Sequence, residues 1–452
     1  MQIYRKPENN SGIFVCCYLY KSYMKSSFFT AIFFVSVFML ATSPLSHGQF
    51  SIDAHLRPRF EIRDGYQHMI PDSVGPAFIF SQRTRLSFSF ENKYLKVRIT
   101  PQDVRVWGDE HVVTSTAVLG DAASLDLFEG YLQLRLGRWG WLSVGRQQIY
   151  YDNERLLATN NWNQHGLAYD AVIARMKFGR WNVHAGGSWN TIGEQSFSNG
   201  YPSNRFKSLD YLWLNREFGE HVKISLLHIA TAQTHTDTTN LLYWRQSTGL
   251  YGNFTWKGLK AWCDFYYQYG QNPQGITVSA FLFDVNAGYT VKFFTPGIGV
   301  SYLSGNKETG PGISRDHLFN PLYGTRHNFF GFIDYFRNFP VDTKQGGLAD
   351  YFVFLNFAIC KGLTLSNTSH YFQLAQTNQL TPTDRNLGFE NDLVMKYSFL
   401  SWGALETGYC LFLPTESLKT IQGVQDPRFP QFFYVMLTIT PTLFTYDHQA
   451  IK

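Results

Sequence analysis

The feature that most constrains this chain is a repeat of lengths rather than of letters. From about residue 50 onward, alternating segments of roughly ten residues are separated by connections that are short, then long, then short again. Asn92-Lys93, Gly137-Arg138-Trp139, Gly179-Arg180 and Phe218-Gly219-Glu220 are the short ones; 110–124, 152–166 and 192–206 are the long ones. Only helices and closed barrels cross a bilayer with every backbone polar group satisfied. The alternation predicts strands over 52–63, 78–91, 94–109, 125–136, 140–151, 167–178, 181–191, 207–217, 221–233, 243–256, 260–270, 276–291, 296–305, 347–359, 363–376, 386–398, 402–413 and 431–440. The expected fold class is all-β: a transmembrane antiparallel β-barrel of about 18 strands, with short periplasmic turns and long extracellular loops.

Alternation within the strands agrees. Ile52, Ala54, Leu56, Pro58, Phe60 and Ile62 share one face, while Asp53, His55, Arg57, Arg59, Glu61 and Arg63 share the other. In the fourth segment Phe128, Leu132, Leu134 and Leu136 oppose Glu129, Tyr131, Gln133 and Arg135. One face suits hydrocarbon and the other water. In a soluble protein such apolar faces would need a second sheet to cover them. A soluble chain of 452 residues would also tend to split into domains, whereas a barrel grows by adding strands. A mean hydropathy of −0.21 argues against a bundle of membrane helices.

The one long apolar run, 27–41, is too short for a spanning helix and reads as the core of a signal peptide. Cleavage is expected after Ser46-His47-Gly48, before Gln49, which places the mature chain in a bacterial outer membrane. Met24-Lys25 is the better start, leaving the first 23 residues as an extension. Residues 49–452 are then a single barrel domain. Four basic residues against one acid leave with the leader, so the formal charge falls from +5 to +2, and the bulk charge carries no nucleic-acid signal. Cys263, Cys360 and Cys410 remain, at spacings of neither a disulfide framework nor a metal site. No motif calls for a cofactor.

The candidate site is the polar face of the first strands. Arg57, Arg59, Arg63, Arg83, Arg85, Lys96, Arg98, Arg105 and Arg135 fall within four neighbouring segments, with Asp103 and Glu129 among them. Guanidinium groups stay charged and match carboxylates with a planar fork of donors. A ladder of them would attract anions, and the interspersed acids would keep binding reversible. The bland alternative is that these pairs only brace the wall. Pro101 interrupts the third strand, and a bulge there would turn Asp103 and Arg105 inward. Arg146, Arg155 and Asp170 bring further charge to the next long loop and its flanking strands.

At this point the chain resembles a known family. The RPRFE segment (Arg57–Glu61), Gln82-Arg83-Thr84-Arg85, the QDVRVWG run from Gln102 to Gly108, Gly145-Arg146-Gln147, and Trp162-Asn163-Gln164 with Tyr169-Asp170-Ala171 are similar to the alginate-export outer-membrane porins, in their Bacteroidetes-type branch. The stretch from Phe319 to Phe336 fits that branch as well. Leu167 stands where the family often has a basic residue. The resemblance implies an 18-stranded barrel with an Arg-rich, anion-selective pore. It implies an anionic solute, with a polyuronate such as alginate as one candidate, and a periplasmic export partner as a possibility. Outer-membrane lipid is the other expected partner; oligomeric state stays open.

Two other classes compete. A barrel hydrolase would use His370 or the carboxylates Glu390 and Asp392, but no nucleophile motif accompanies them. An adhesive or structural barrel would act through its long loops, above all 305–346, whose aromatic block 329–336 suggests a packed loop folded over the mouth.

Overall fold

The computed structural model describes residues 48–447 except 109–124, 195, 198–200 and 309–312. The signal peptide and the start at Met24 lie outside the described residues. The strands are β1 (Gln49–Asp64), β2 (Ala77–Glu91), β3 (Leu95–Val106), β4 (Leu125–Leu136), β5 (Gly140–Gln147), β6 (Tyr169–Phe178), β7 (Trp181–Trp189), β8 (Ser208–Phe218), β9 (Val222–Thr234) and β10 (Leu242–Trp256). They continue with β11 (Leu259–Gln271), β12 (Thr277–Tyr289), β13 (Phe294–Leu303), β14 (Arg315–Asp316), β15 (Leu348–Cys360), β16 (Leu363–Gln373), β17 (Asn386–Leu400), β18 (Gly403–Pro414), β19 (Gln431–Ile439) and β20 (Thr442–Asp447).

Each long strand pairs antiparallel with the next. β13 passes over the two-residue β14 to pair with β15, and β1 pairs with β19, which closes an 18-stranded barrel. The seam runs further than the alternation suggested. After Pro441 the chain resumes as β20 and pairs with the start of β1, Gln49 opposite Asp447. Segment 125–136 coincides with β4, and the other boundaries fall within a few residues. The largest difference comes where 140–151 stops at Gln147; 52–63 begins earlier, at Gln49, 363–376 ends at Gln373, and 94–109, whose last residue lies outside the described residues, ends at Val106.

The polarity of the wall follows from its two solvents. Leu132, Val144, Val172, Leu250, Phe283 and Val353 are exposed on the outer face, while Arg83, Ser143, Ser247, Asp284 and Glu390 are buried inside. Trp139, Trp181, Trp256 and Trp402 stand exposed beside short turns, the place of an aromatic girdle. Inside, inward-facing strand residues such as Ile173, Leu209, Ile229, Leu282, Phe372 and Phe412 pack with two long loops to form the apolar core. Residues 148–168 contribute Ile149, Leu156 and Leu157; residues 304–347 contribute Phe319, Phe330, Ile333, Tyr335, Phe336 and Phe339.

One irregularity differs from expectation. The bulge near Pro101 lies in β4, not β3: Thr100 pairs with Glu129 and Pro101 with Leu127, leaving Phe128 over. Phe128 therefore turns inward instead of joining the apolar outer face, and the Arg85 guanidinium lies 3.3 Å from its ring centroid. Against β2 the register of β3 runs on unbroken, from Ser89–Arg98 to Arg83–Val104.

Candidate functional site: the lumen and its two inward loops

The two loops meet and pair inside the barrel. The Tyr323 N–H donates to Leu156 O at 3.1 Å, and the Thr325 N–H to Glu154 O at 3.1 Å. Gly324 permits this approach, since a Cβ there would collide with Arg155 O.

The basic wall grips the first loop through its carbonyls. Arg57 donates Nε and Nη2 to Gln164 Oε1 at 3.0 and 2.8 Å, and Nη1 to Asn161 O at 2.5 Å. Arg59 donates to Trp162 O at 2.8 Å, pairs with Glu61 at 3.1 Å and lies 4.2 Å from the Trp162 ring centroid. Arg83, with no exposed surface, donates to His55 Nε2 at 2.9 Å and to Gln164 O. Arg85 donates to Gln102 Oε1 at 2.8 Å and to His165 O at 2.9 Å. Arg63 is less covered and pairs with Glu61 at 2.6 Å. Lower on the same wall, Arg98 pairs with Glu129 at 2.9 Å, Lys96 pairs with Glu91, and both Lys96 and Arg135 lie over Trp141.

Four expected lining residues lie on the other face. In an antiparallel ladder, opposite residues share a face. Val104 is opposite inward Arg83 and Asp103 is opposite Thr84, so Asp103 and Arg105 sit outward. Their bulge-based assignment fails because the extra residue belongs to β4. Arg105, at the strand's end, still borders the outer cavity described below. Arg146 and Asp170 are opposite each other beside the exposed Val144–Val172 pair, and form a 3.3 Å ion pair on the outer face. Near a barrel rim the outer face reaches water and headgroups, so charge there does not mark the lumen. Arg155 is inside but fully buried. It pairs with Asp284 at 2.6 Å, donates to Ser301 at 2.6 Å and packs over Phe329 and Phe330.

The opposite wall is acidic and grips the loops through donors. Asn153 donates to Asp264. The Ile333 N–H donates to Glu390 Oε1 at 2.7 Å, and the Phe332 N–H to Asp392 Oδ2 at 3.1 Å. Gly331, with φ of +79°, lies so close to Glu390 that a Cβ would collide with the carboxylate. His370 Nδ1 is 2.8 Å from Asp350 and Nε2 is 3.8 Å from Asp392. Both ring nitrogens face carboxylates, so neither is placed to take a proton from a hydroxyl.

Two cavities flank the paired loops. The outer one, about 490 Å³, is lined by Arg59, Arg63, Trp162, Arg326, Asp334 and Arg337. The inner one, about 820 Å³, is lined by Asn253, Lys260, Trp262, His370, Lys396 and Glu406 among others. His327 lines both. Its ring stacks on Trp162, at 3.9 Å, and lies tilted against Phe332, at 4.1 Å. Its Nδ1 is 3.1 Å from Asp334 Oδ1, and the Tyr66 hydroxyl donates to Asp334 Oδ2 at 2.6 Å. Burial, reinforced by the Asp334 charge, raises the Tyr66 phenol well above its ordinary value and keeps it a donor. Burial, with Arg155 and Arg337 nearby, lowers the Arg326 guanidinium to about 10, which leaves it charged at neutral pH. Trp162, Arg326 and His327 were not among the expected site residues, although all three lie within the motifs that carried the resemblance.

A family model described as alginate export matches residues 51–431. The match is to the family as a whole and does not single out the Bacteroidetes-type branch. Among curated proteins none matches the chain. Solved structures share the fold. Pseudomonas aeruginosa OccK9 (OpdG) is 14% identical with a TM-score of 0.60, covering 87% of this chain and 98% of its own. Acinetobacter baumannii OccAB1 is 12% identical with a TM-score of 0.59, covering 87% and 97%. P. aeruginosa OpdK with vanillate is 11% identical with a TM-score of 0.55, covering 88% and 99%.

Proposed function

Since the chain belongs to the alginate export family, we propose that it is a channel of the bacterial outer membrane that passes anionic solutes along an arginine-lined path. The observation that carries this reading is the outer cavity, where Arg59, Arg63, Arg326 and Arg337 face a single lining carboxylate, Asp334. Clefts lined by one sign of charge raise the local concentration of the opposite ion. Arg57, Arg83 and Arg85 serve this path by holding the loop that shapes it, and the permeating ion meets the less covered arginines.

Oligouronates are one candidate solute and small carboxylates the other; the second is in keeping with the vanillate of OpdK. Cavities of about 490 and 820 Å³ fit a small solute, whereas a polymer requires the paired loops to part. The mature chain would begin near Gln49 after loss of a signal peptide, and a periplasmic partner would deliver a polymeric cargo. The test is the reversal potential of the refolded protein in a planar bilayer under a salt gradient, with and without oligouronate. Anion selectivity with block by oligouronate is the expected result. Cation selectivity would overturn the reading.

A further inference from the structure

The two cavities share one side chain, from the Phe319–Phe336 stretch. His327 borders the outer cavity with Arg59 and Arg326 and the inner one with Trp262 and His370. Trp162 comes from the first inward loop, and His327 and Phe332 come from the second. Their stack is thus where the two loops close on each other between the cavities. Arg59 covers the stack from the β1 wall, and Phe332 is tied by its N–H to Asp392 on the far wall. The ring is held rather than free. Its Nδ1–H is donated to Asp334, whose other oxygen is occupied by Tyr66. Its Nε2 is buried and has no hydrogen-bond partner.

We propose that His327 is the selectivity residue of the permeation path, with its Nε2 accepting a hydroxyl of an anion that carries hydroxyl groups. The chemistry follows from the ring's setting. With Nδ1–H given to a carboxylate, the uncharged form of the ring offers a lone pair at Nε2, which an alkyl carboxylate cannot use and a hydroxylated one can. A site built to hydrogen-bond a hydroxyl rejects an analogue lacking it, because its polar group is then left unpaired. Trp162 stacked on the ring and Phe332 against it leave Nε2 buried, and the arginines of the outer cavity supply the attraction for charge.

This inference rests on the channel reading, and the experiment separates the two. Refolded full-length protein in a planar bilayer is placed between chloride and either gluconate or hexanoate, and the permeability ratio of the two organic anions is read from reversal potentials. Gluconate carries hydroxyls on a six-carbon chain and hexanoate carries none. Wild type should favour gluconate severalfold. His327→Phe, which keeps the stack and removes Nε2, should bring the ratio near one. His327→Gln should retain part of the preference, because its amide oxygen can still accept. A purely structural role for the ring would make His327→Gln the worse variant and leave the ratio in His327→Phe at the wild-type value. That result overturns the proposal. If wild type carries no anion current, the channel reading itself fails.

Discussion

The two walls of the lumen solve the same problem with opposite charges. On the β1–β2 side, guanidinium groups hold loop 148–168 by its carbonyl oxygens, at Asn161, Trp162 and His165. On the β17 side, carboxylates hold loop 304–347 by its N–H groups, at Phe332 and Ile333. A backbone presents both polarities, and a loop leaving the ladder has donors and acceptors to satisfy. A lumen with one basic and one acidic wall can satisfy both, and the charges that do so are spent on structure before any solute arrives. The difference lies in what is left over. Around the outer cavity the basic wall presents Arg63, paired with Glu61, and loop 304–347 adds Arg326 and Arg337, whereas the described acids at the centre are covered by Arg155, His370 or loop amides.

The comparison can be broken first at the pair that ties loop 148–168 to the acidic wall. Arg155→Ala leaves Asp284 buried and uncompensated and should cost about 3–5 kcal/mol, read as unfolding in urea. Arg155→Met with Asp284→Asn should recover most of that loss. Next, Arg83→Glu with Arg85→Glu replaces donors to the loop carbonyls with acceptors. It should release loop 148–168, raise conductance and reduce or invert the anion preference; an unchanged reversal potential would place these residues off the path. A smaller effect is expected at Asp316, outside the spanning strands. Its burial opposes ionisation, but Arg245, Asn306, Asn272 and the Leu318 N–H outweigh it and lower the carboxyl. A lowered carboxyl contributes stability above its unfolded value and loses it as pH falls through the folded one. Protease resistance of loop 304–347 should therefore weaken in acid, and Asp316→Asn should weaken it at pH 7 while removing most of that acid dependence. Least of all, Arg146→Gln with Asp170→Asn should leave selectivity unchanged, since both stand on the outer face.

The strands were legible because a wall between hydrocarbon and water imposes a period of two, which single residues display. The parity of β1 and the span of β4 follow from that alone. Facing was legible only where the outer face meets lipid. At the rim, Arg146 and Asp170 resemble lumen residues because both faces there tolerate charge. The bulge was misplaced because Pro101, the visible irregularity, sits opposite the strand that carries the extra residue. Arg155 illustrates the remaining gap: its charge was visible, but its partners lie 129 and 146 residues away in sequence. The constriction at His327 depends on two loops meeting, and alternation carries no information about where a loop goes.

The backbone pairing of 154–156 with 323–325 has a consequence for anyone who would redesign this pore. Each loop completes the other's hydrogen bonding, so the unit that can be transplanted between barrels is the pair. A chimaera given one foreign loop would inherit unpaired amides at the centre of the channel. One given both, along with Gly324, would keep the pairing that holds the two loops together.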